Sequence, residues 1–262
     1  MDKSVPAIKK YYNSLSRHYD KGELKEPIVQ LIDDVKMIKL RKFLPKNKKA
    51  RILDAGGGTG KWAIKLANLG YRNIYLVDIS PGMIKEARRK FLDKQLGEKV
   101  LLFENNIENM PFDNEFFDFV IAERNVLSVA NPKKTLPEVF RVMKKGAILY
   151  TSLKNYNGIK LHDRLEKFYS GKRSKLEGVS ETSINFILFK PESIKKLFKE
   201  NKLKILKLDS DVTFTSFVPK NELNEMFSHK EVYDKMIEFE LKMTQNQKYL
   251  NLGYQLLVFA KK

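Results

Sequence analysis

The stretch Ile52 to Trp62 reads ILDAGGGTGKW. An apolar run ends in an aspartate, glycine fills positions 56, 57, 58 and 60, and a lysine follows. Backbone without Cβ atoms lets a bound group approach the main chain, and a chain entering a helix points free amides at negative charge. Such turns hold phosphates, dinucleotides or adenosyl groups, and three spacings compete here. The phosphate loop G-x-x-x-x-G-K-[ST] falls on Ala55 to Trp62. Gly60 and Lys61 fit it, but Ala55 replaces the first glycine and Trp62 replaces the hydroxyl that ligates magnesium. The dinucleotide fingerprint G-x-G-x-x-G accepts Gly56 and Gly58 but meets bulky Lys61 at its third position, where helix and strand must pack closely. The third spacing, D-x-G-x-G-x-G, is met in full by Asp54, Gly56, Gly58 and Gly60.

Holding such a turn takes a strand before it and a helix after it. Arg51 to Asp54 reads as the strand, and Lys61 to Leu69 as a helix closed by Gly70. Asn73 to Val77 is a second strand ending at Asp78. Ser80-Pro81 starts a helix that runs to about Lys94. Val100 to Phe103 and Phe117 to Ala122 are strands. A helix is expected from Lys134 to Lys144, stopped by Gly146, and a strand from Ala147 to Thr151. Alternation on this spacing predicts a parallel sheet with right-handed crossovers. Two helices precede it, one over residues 5–19 and one opening at Pro27. After it, residues 153–190 show no clear strand or helix unit. Pro191 opens a helix, Leu203 to Leu208 reads as a strand, residues 212–250 as irregular chain with one amphipathic helix, and Tyr254 to Ala260 as a last strand. The expected division is a helical lid segment at 1–45, a core at 46–152, cap insertions at 153–190 and 212–250, a core helix and strand at 191–211 and a final strand at 251–262.

The Asp54 to Gly60 spacing resembles the first motif of the class I S-adenosylmethionine-dependent methyltransferases, and further stretches follow that family's order. Asp78 ends the second strand. FENNIENMPF (103–112) is similar to the third motif, FFDFVIAERNVLSV (116–129) to the fourth strand and its turn, and LPEVFRVMKKGAILYTS (136–152) to the helix and fifth strand. YYNSLSRHYD (11–20) is similar to the segment preceding the core in the quinone-biosynthesis type. Two positions depart: Asn106 stands where an acid usually binds the adenine amino group, and Lys144-Lys145-Gly146-Ala147 stands for Lys-Pro-Gly-Gly. The resemblance implies an α/β fold, a Rossmann-like seven-stranded mostly parallel sheet with an antiparallel last strand, helices on both faces and a small helical cap.

The resemblance also implies S-adenosylmethionine as cofactor, with S-adenosylhomocysteine as product. Asp54, Gly56, Gly57, Gly58 and Gly60 would meet its methionine part and Asp78 its ribose hydroxyls. Ile79, Met83, Asn106 and Ile107 would meet the adenine. Tyr11 and Tyr19 would close over it, and Glu123 would end the fourth strand beside it. The implied chemistry is in-line displacement at the methyl carbon, helped mainly by alignment and exclusion of water. A general base is needed only if the acceptor must lose a proton. Glu123, His18, His162, Tyr19 and Tyr156 are candidates, and the residues alone do not choose among them.

Composition narrows the acceptor. The 262 residues include no cysteine, which excludes disulfides, thiolate metal sites and ring methylation through a cysteine nucleophile. No metal is expected. Ala122-Glu123-Arg124-Asn125 lacks the Asn/Asp-Pro-Pro-Tyr/Phe usual in methylases of exocyclic amines on nucleic acids. There is no apolar run of about 18 residues and no secretory leader, so a cytoplasmic location is expected. The formal charge of +18 reads either as a lysine-rich solvated surface or as attraction for polyanions, with Lys36 to Arg51 free of acids. A small-molecule acceptor is therefore expected. The alternatives are tRNA or rRNA methylation, supported by the charge and Lys172-Arg173-Ser174-Lys175, and a cofactor-binding protein without transferase activity. The aromatic residues Tyr156, Tyr169, Phe186, Phe189, Phe214, Phe217, Phe227 and Tyr233 are expected to form a small core, with a minority lining an acceptor pocket.

Overall fold

Strand–helix alternation builds a seven-stranded sheet in the computed structural model, which describes residues 4–21, 27–170 and 186–262. Two helices come first, α1 (Ser4–Leu15) and α2 (Pro27–Arg41). Then follow β1 (Arg51–Ala55), α3 (Lys61–Asn68), β2 (Asn73–Asp78), α4 (Pro81–Asp93), β3 (Val100–Glu104) and β4 (Phe117–Ala122). The chain continues through α5 (Val126–Val129), α6 (Pro132–Val142), β5 (Met143–Lys154), α7 (Tyr156–Ser170), α8 (Pro191–Glu200) and β6 (Lys204–Ser210). It ends with α9 (Lys220–Ser228), α10 (Lys230–Thr244) and β7 (Gln255–Lys261). The strand order is β3-β2-β1-β4-β5-β7-β6. Pairing is parallel from β3 to β5, and β7 runs antiparallel to both its neighbours. The chain leaves β1 toward β3 and returns across β1 to β4. At that reversal the carboxyl ends of the strands open a crevice.

Side chains alternate between the faces of a strand, so neighbours in β1 serve different cores. Ile52 joins Met37 and Leu40 of α2, Trp62 and Leu66 of α3, and Ala87 and Phe91 of α4. Leu53 joins Leu136 and Val139 of α6 and Ile194 and Phe198 of α8. The sheet is thus covered on both sides, and its central strands are near-continuous apolar runs. A third cluster joins Leu31 and Val35 of α2 to Val212, with Phe227, Tyr233 and Met236 of α9 and α10 packed on it.

The start of α4 follows the sequence reading: Ser80 Oγ accepts from the Met83 amide at 3.2 Å and Pro81 sits in the first turn. The boundary after α6 does not. That helix begins at Pro132, capped by Asn131, and ends at Val142. Gly146 is no helix stop. It lies inside the long strand β5 with φ of 81°, where the register against β4 slips between Phe117 and Phe119. Pairing of Phe117 with Met143 draws the chain into the sheet before the glycine is reached. Helix α7 also departs from the reading of 153–190. It packs main chain on main chain: a Cβ on Gly158 would meet the Gly253 carbonyl oxygen at 1.9 Å. Two helices, α9 and α10, stand where one was expected. The Lys172 to Lys175 loop and the Tyr169 side chain lie outside the described residues.

Gly60 caps α3 in the left-handed region, with φ of 81°. A Cβ there would meet Phe91 Cζ at 2.5 Å, and Phe91 is buried. Strain and overpacking then combine, and Gly60→Ala should destabilise by about 2 kcal/mol or more. Urea denaturation checks this; an unchanged midpoint would mean that the ring yields freely.

Candidate active site

The crevice encloses about 940 Å³ of empty space, open solvent at its mouth included. Its floor is the glycine turn. The Gly56 and Gly57 amides both donate to the Val77 carbonyl oxygen, at 2.7 and 3.1 Å, tying the turn to β2. Gly58 takes φ of 55°, and a Cβ there would meet nothing nearer than the Met83 sulfur at 4.0 Å, so this backbone faces open space. The segment after α1 closes the other side. Asp20 accepts from Thr59 Oγ1 of the turn at 2.9 Å and from Lys90 Nζ of α4 at 2.7 Å.

Three carboxylates line the pocket at the ends of β1, β2 and β4. Asp54 is buried and its Oδ2 accepts from the Ala63 amide at 3.1 Å; burial pushes its carboxyl up to about 7 against that hydrogen bond. Asp78 accepts from the Gly58 and Ser80 amides, each at 2.9 Å, and burial still pushes it up to about 6. No cation among the described residues pairs with either, so both are suited to a ligand bringing positive charge or hydroxyl donors. Glu123 differs. Its Oε1 lies 2.5 Å from Lys36 Nζ, with both side chains buried, and its Oε2 has no hydrogen-bond partner. Lys36 also donates to Gln255 Oε1. Burial and the Glu123 charge hold the neighbouring Tyr150 hydroxyl well above its usual range.

The pocket gathers most residues singled out from the sequence: Asp54, Gly56, Gly57, Gly58, Asp78, Ile79, Met83, Asn106, Ile107, Glu123 and Tyr19. It leaves others out. Gly60 packs on Phe91 instead. Tyr12, one residue along α1, lines the pocket where Tyr11 was expected, and its ring meets Tyr19 edge-on at 6.5 Å. His18 is exposed and outside the lining. His162 is buried in α7, stacked between Phe217 at 4.2 Å and Tyr254 at 3.9 Å, with Nε2 at 3.1 Å from the Leu252 carbonyl oxygen. It too lies outside the pocket. Tyr156 stands apart beside Lys160 and Lys190. Asn106 Oδ1 already accepts from the Glu108 amide at 3.0 Å. Among the described residues, none of the expected cap aromatics lines the crevice; Phe227 and Tyr233 pack in the third cluster.

Sequence reasoning missed Lys36, Arg124 and Tyr12. Lys36 and Lys39 had been counted in a basic block, yet both are buried. Lys39 donates to the Ser210 carbonyl oxygen at 2.7 Å and pairs with Asp209 at 3.3 Å. Burial lowers its pKa to about 8 against the pull of Asp209. The available signal was position: Lys36 and Lys39 follow Val35 and Ile38 on a helix whose apolar face was already evident.

Residues 53–151 match the family described as methyltransferase domain. The ubiquinone/menaquinone biosynthesis C-methyltransferase of Proteus mirabilis is 34% identical over 101 residues, 38% of this chain and 40% of that protein. Its counterpart in Yersinia pestis gives the same values. The chain thus spans about two fifths of the length of the curated relatives it matches. Among solved structures, geranyl diphosphate C-methyltransferase from Streptomyces coelicolor, in complex with Mg2+, geranyl diphosphate and S-adenosylhomocysteine, superposes with a TM-score of 0.64 at 14% identity. The match covers 99% of this chain and 97% of that one. A putative methyltransferase in complex with the Haloferax volcanii Trm112 activator also gives 0.64, at 17% identity over 97% and 96% of the two chains. Residues 53–151 thus resemble a methyltransferase domain, and the chain as a whole shares the fold of these solved methyltransferase structures.

The buried pair under the pocket makes a direct prediction. Lys36→Met leaves the Glu123 carboxylate without its cation and should destabilise by about 3–5 kcal/mol. Adding Glu123→Leu should recover much of that loss. Chemical denaturation of the three proteins checks it; a single-variant loss under about 1 kcal/mol would mean that water reaches the pair.

Proposed function

We propose that this chain transfers a methyl group from S-adenosylmethionine to a small-molecule acceptor. The observation that carries the reading is the pair of buried carboxylates, Asp54 and Asp78, facing a bare glycine turn with no cation of their own. The cofactor fits this crevice by donor chemistry. Asp78 has oxygen lone pairs for ribose hydroxyls beyond the two amides it accepts. Asp54 faces the ammonium end, and Gly56, Gly57 and Gly58 admit the methionine tail. Ile79, Met83 and Ile107 offer an apolar slot to the adenine, with Asn106 at its edge. Tyr12 and Tyr19 cover the site from the N-terminal segment. When bound, the cofactor supplies an activated methyl carbon for in-line displacement.

The chain's own residues then align the acceptor and exclude water. Glu123 pairs with Lys36 through Oε1 and leaves Oε2 without a hydrogen-bond partner, and its carboxyl is the group assigned here to orient an acceptor O–H or N–H. Of the candidate bases, Glu123 and Tyr19 line the pocket, and Glu123 is the one with an unpartnered oxygen. A small acceptor is supported by the shape: α1 residues Val5, Ile8 and Tyr12 wall the crevice, leaving a pocket and not a trough. No helix among the described residues is long and apolar enough to cross a membrane.

Calorimetry should show S-adenosylhomocysteine binding, weakened by about 2 kcal/mol in Asp78→Ala. Unchanged affinity would remove the ribose assignment. Affinity for S-adenosylmethionine should fall as pH drops through about 7 to 6, because Asp54 and Asp78 take up protons and lose the charge that attracts a cation. The ligand-free protein should move the other way. Carboxyls raised in the folded state bind protons more tightly there, so these two groups favour folding at low pH and lose that contribution as pH rises toward 7. Transfer of labelled methyl into the small-molecule fraction of a cell extract supports the proposed activity; label appearing in RNA instead would overturn the acceptor class.

A further inference from the structure

We infer that the acceptor carries an oxyanion, a carboxylate or a phosphate, held by the guanidinium of Arg124 with Lys61 beside it; this rests on the cofactor reading above. Arg124 follows β4 with φ of 60°, and Asn125 follows it with φ of 63°. Two consecutive residues in the left-handed region are unusual, and arginine is not among the types that favour it. The kink turns the chain from β4 into α5 and places Arg124 on the pocket wall.

There the guanidinium is under-used. Its Nη2 reaches both oxygens of Asp33, at 3.3 and 3.4 Å, which is long for a charged pair. Its Nε is buried without any partner, and among the described residues no hydrogen bond forms at Nη1. An arginine offers five N–H groups in a planar fork; here Nη2 is spent weakly on Asp33, Nε is buried, and Nη1 is the arm left to a ligand.

Charge points the same way. Asp33 is shared by three cations: Arg124, Lys61, which bonds it closely, and Lys65 at 3.9 Å. Burial alone would raise the Asp33 carboxyl, yet Arg124 and Lys61 outweigh it and hold it below the usual range. Asp34 is engaged by the Tyr233 hydroxyl at 2.8 Å and by Lys65 at 3.7 Å. The pocket's own acids are committed elsewhere. Asp54 and Asp78 belong to the turn, Glu108 accepts from the Asn131 amide at 3.0 Å, and Glu123 is matched by Lys36. The wall at Arg124 and Lys61 therefore keeps a positive excess. Arg124 follows β4, which lies two strands from β2 and its Asp78 with β1 between, and Lys61 opens the helix after β1. Val126, Val129 and Ala130 adjoin this wall, so the ligand class is an apolar body bearing one oxyanion.

The same fork could also clamp the cofactor's own carboxylate, and the test separates the two. Protein saturated with S-adenosylhomocysteine is titrated with benzoate, phenyl phosphate and neutral benzamide, with binding read by NMR shifts. Preference for either oxyanion over benzamide is the expected result, and the tighter of the two names the group. Arg124→Gln should weaken oxyanion binding about tenfold or more while S-adenosylhomocysteine affinity holds. Arg124→Lys should retain part of it. Asp33→Asn, which removes the competing carboxylate, should tighten it, a direction that structural damage would not produce. Equal binding of benzamide, no oxyanion binding, or no loss in Arg124→Gln would overturn the inference. So would a matching loss of S-adenosylhomocysteine affinity in Arg124→Gln, which would assign the fork to the cofactor. Failure of the unsubstituted protein to bind S-adenosylhomocysteine at all would overturn the cofactor reading and this inference together.

Discussion

One carbonyl oxygen, that of Val77, receives the amides of both Gly56 and Gly57. That shared acceptor folds the turn back against β2 before any ligand arrives. It leaves the next amide, that of Gly58, to Asp78, which ends the same strand. The arrangement of the crevice depends on this short exchange between two neighbouring parallel strands. The turn cannot drift from the carboxylate that would read the sugar, because each is hydrogen-bonded to the other's element.

The opposite wall is built on charge taken out of water. Lys36 and Lys39 of α2 reach through the packing to Glu123, Gln255 and Asp209, and Asp33 on the same helix gathers Arg124 and Lys61. Such pairs add little net stability over apolar packing, but breaking one leaves an unpaired buried charge. Their value here is register. A shift of α2 by one residue would strand several charges at once, so the helix has one seat against the ends of β4, β6 and β7. Part of the large positive charge is thus internal and structural.

What the sequence revealed follows physical necessity. The turn, Asp78 and the cap at Ser80-Pro81 were legible because each demands particular residue types at fixed spacing. The strands of the parallel core were legible as short apolar runs. Helix α7 packs through Gly158 on Gly253, a close approach to a distant part of the chain that leaves no local mark in the sequence. Gly146 misled because a left-handed glycine ends helices and bends strands equally well. Tyr11 and Tyr12 could not be told apart in sequence because adjacent aromatics on a helix differ only in the direction they face, and it is Tyr12 that lines the crevice. Lys36 and Arg124 were unreadable as site residues, since a lysine or arginine looks the same in sequence whether it is solvated or buried against a carboxylate.

Asp20 serves as a single clasp for two surfaces, the hydroxyl of Thr59 in the turn and the ammonium of Lys90 on α4. That side chain is more than a third exposed, and it is joined in holding the N-terminal segment down by Asn13 on the Gly82 amide and Lys9 on Glu104. The seal between cover and cleft is therefore made of half-solvated charge, the kind of contact that dissolved ions weaken.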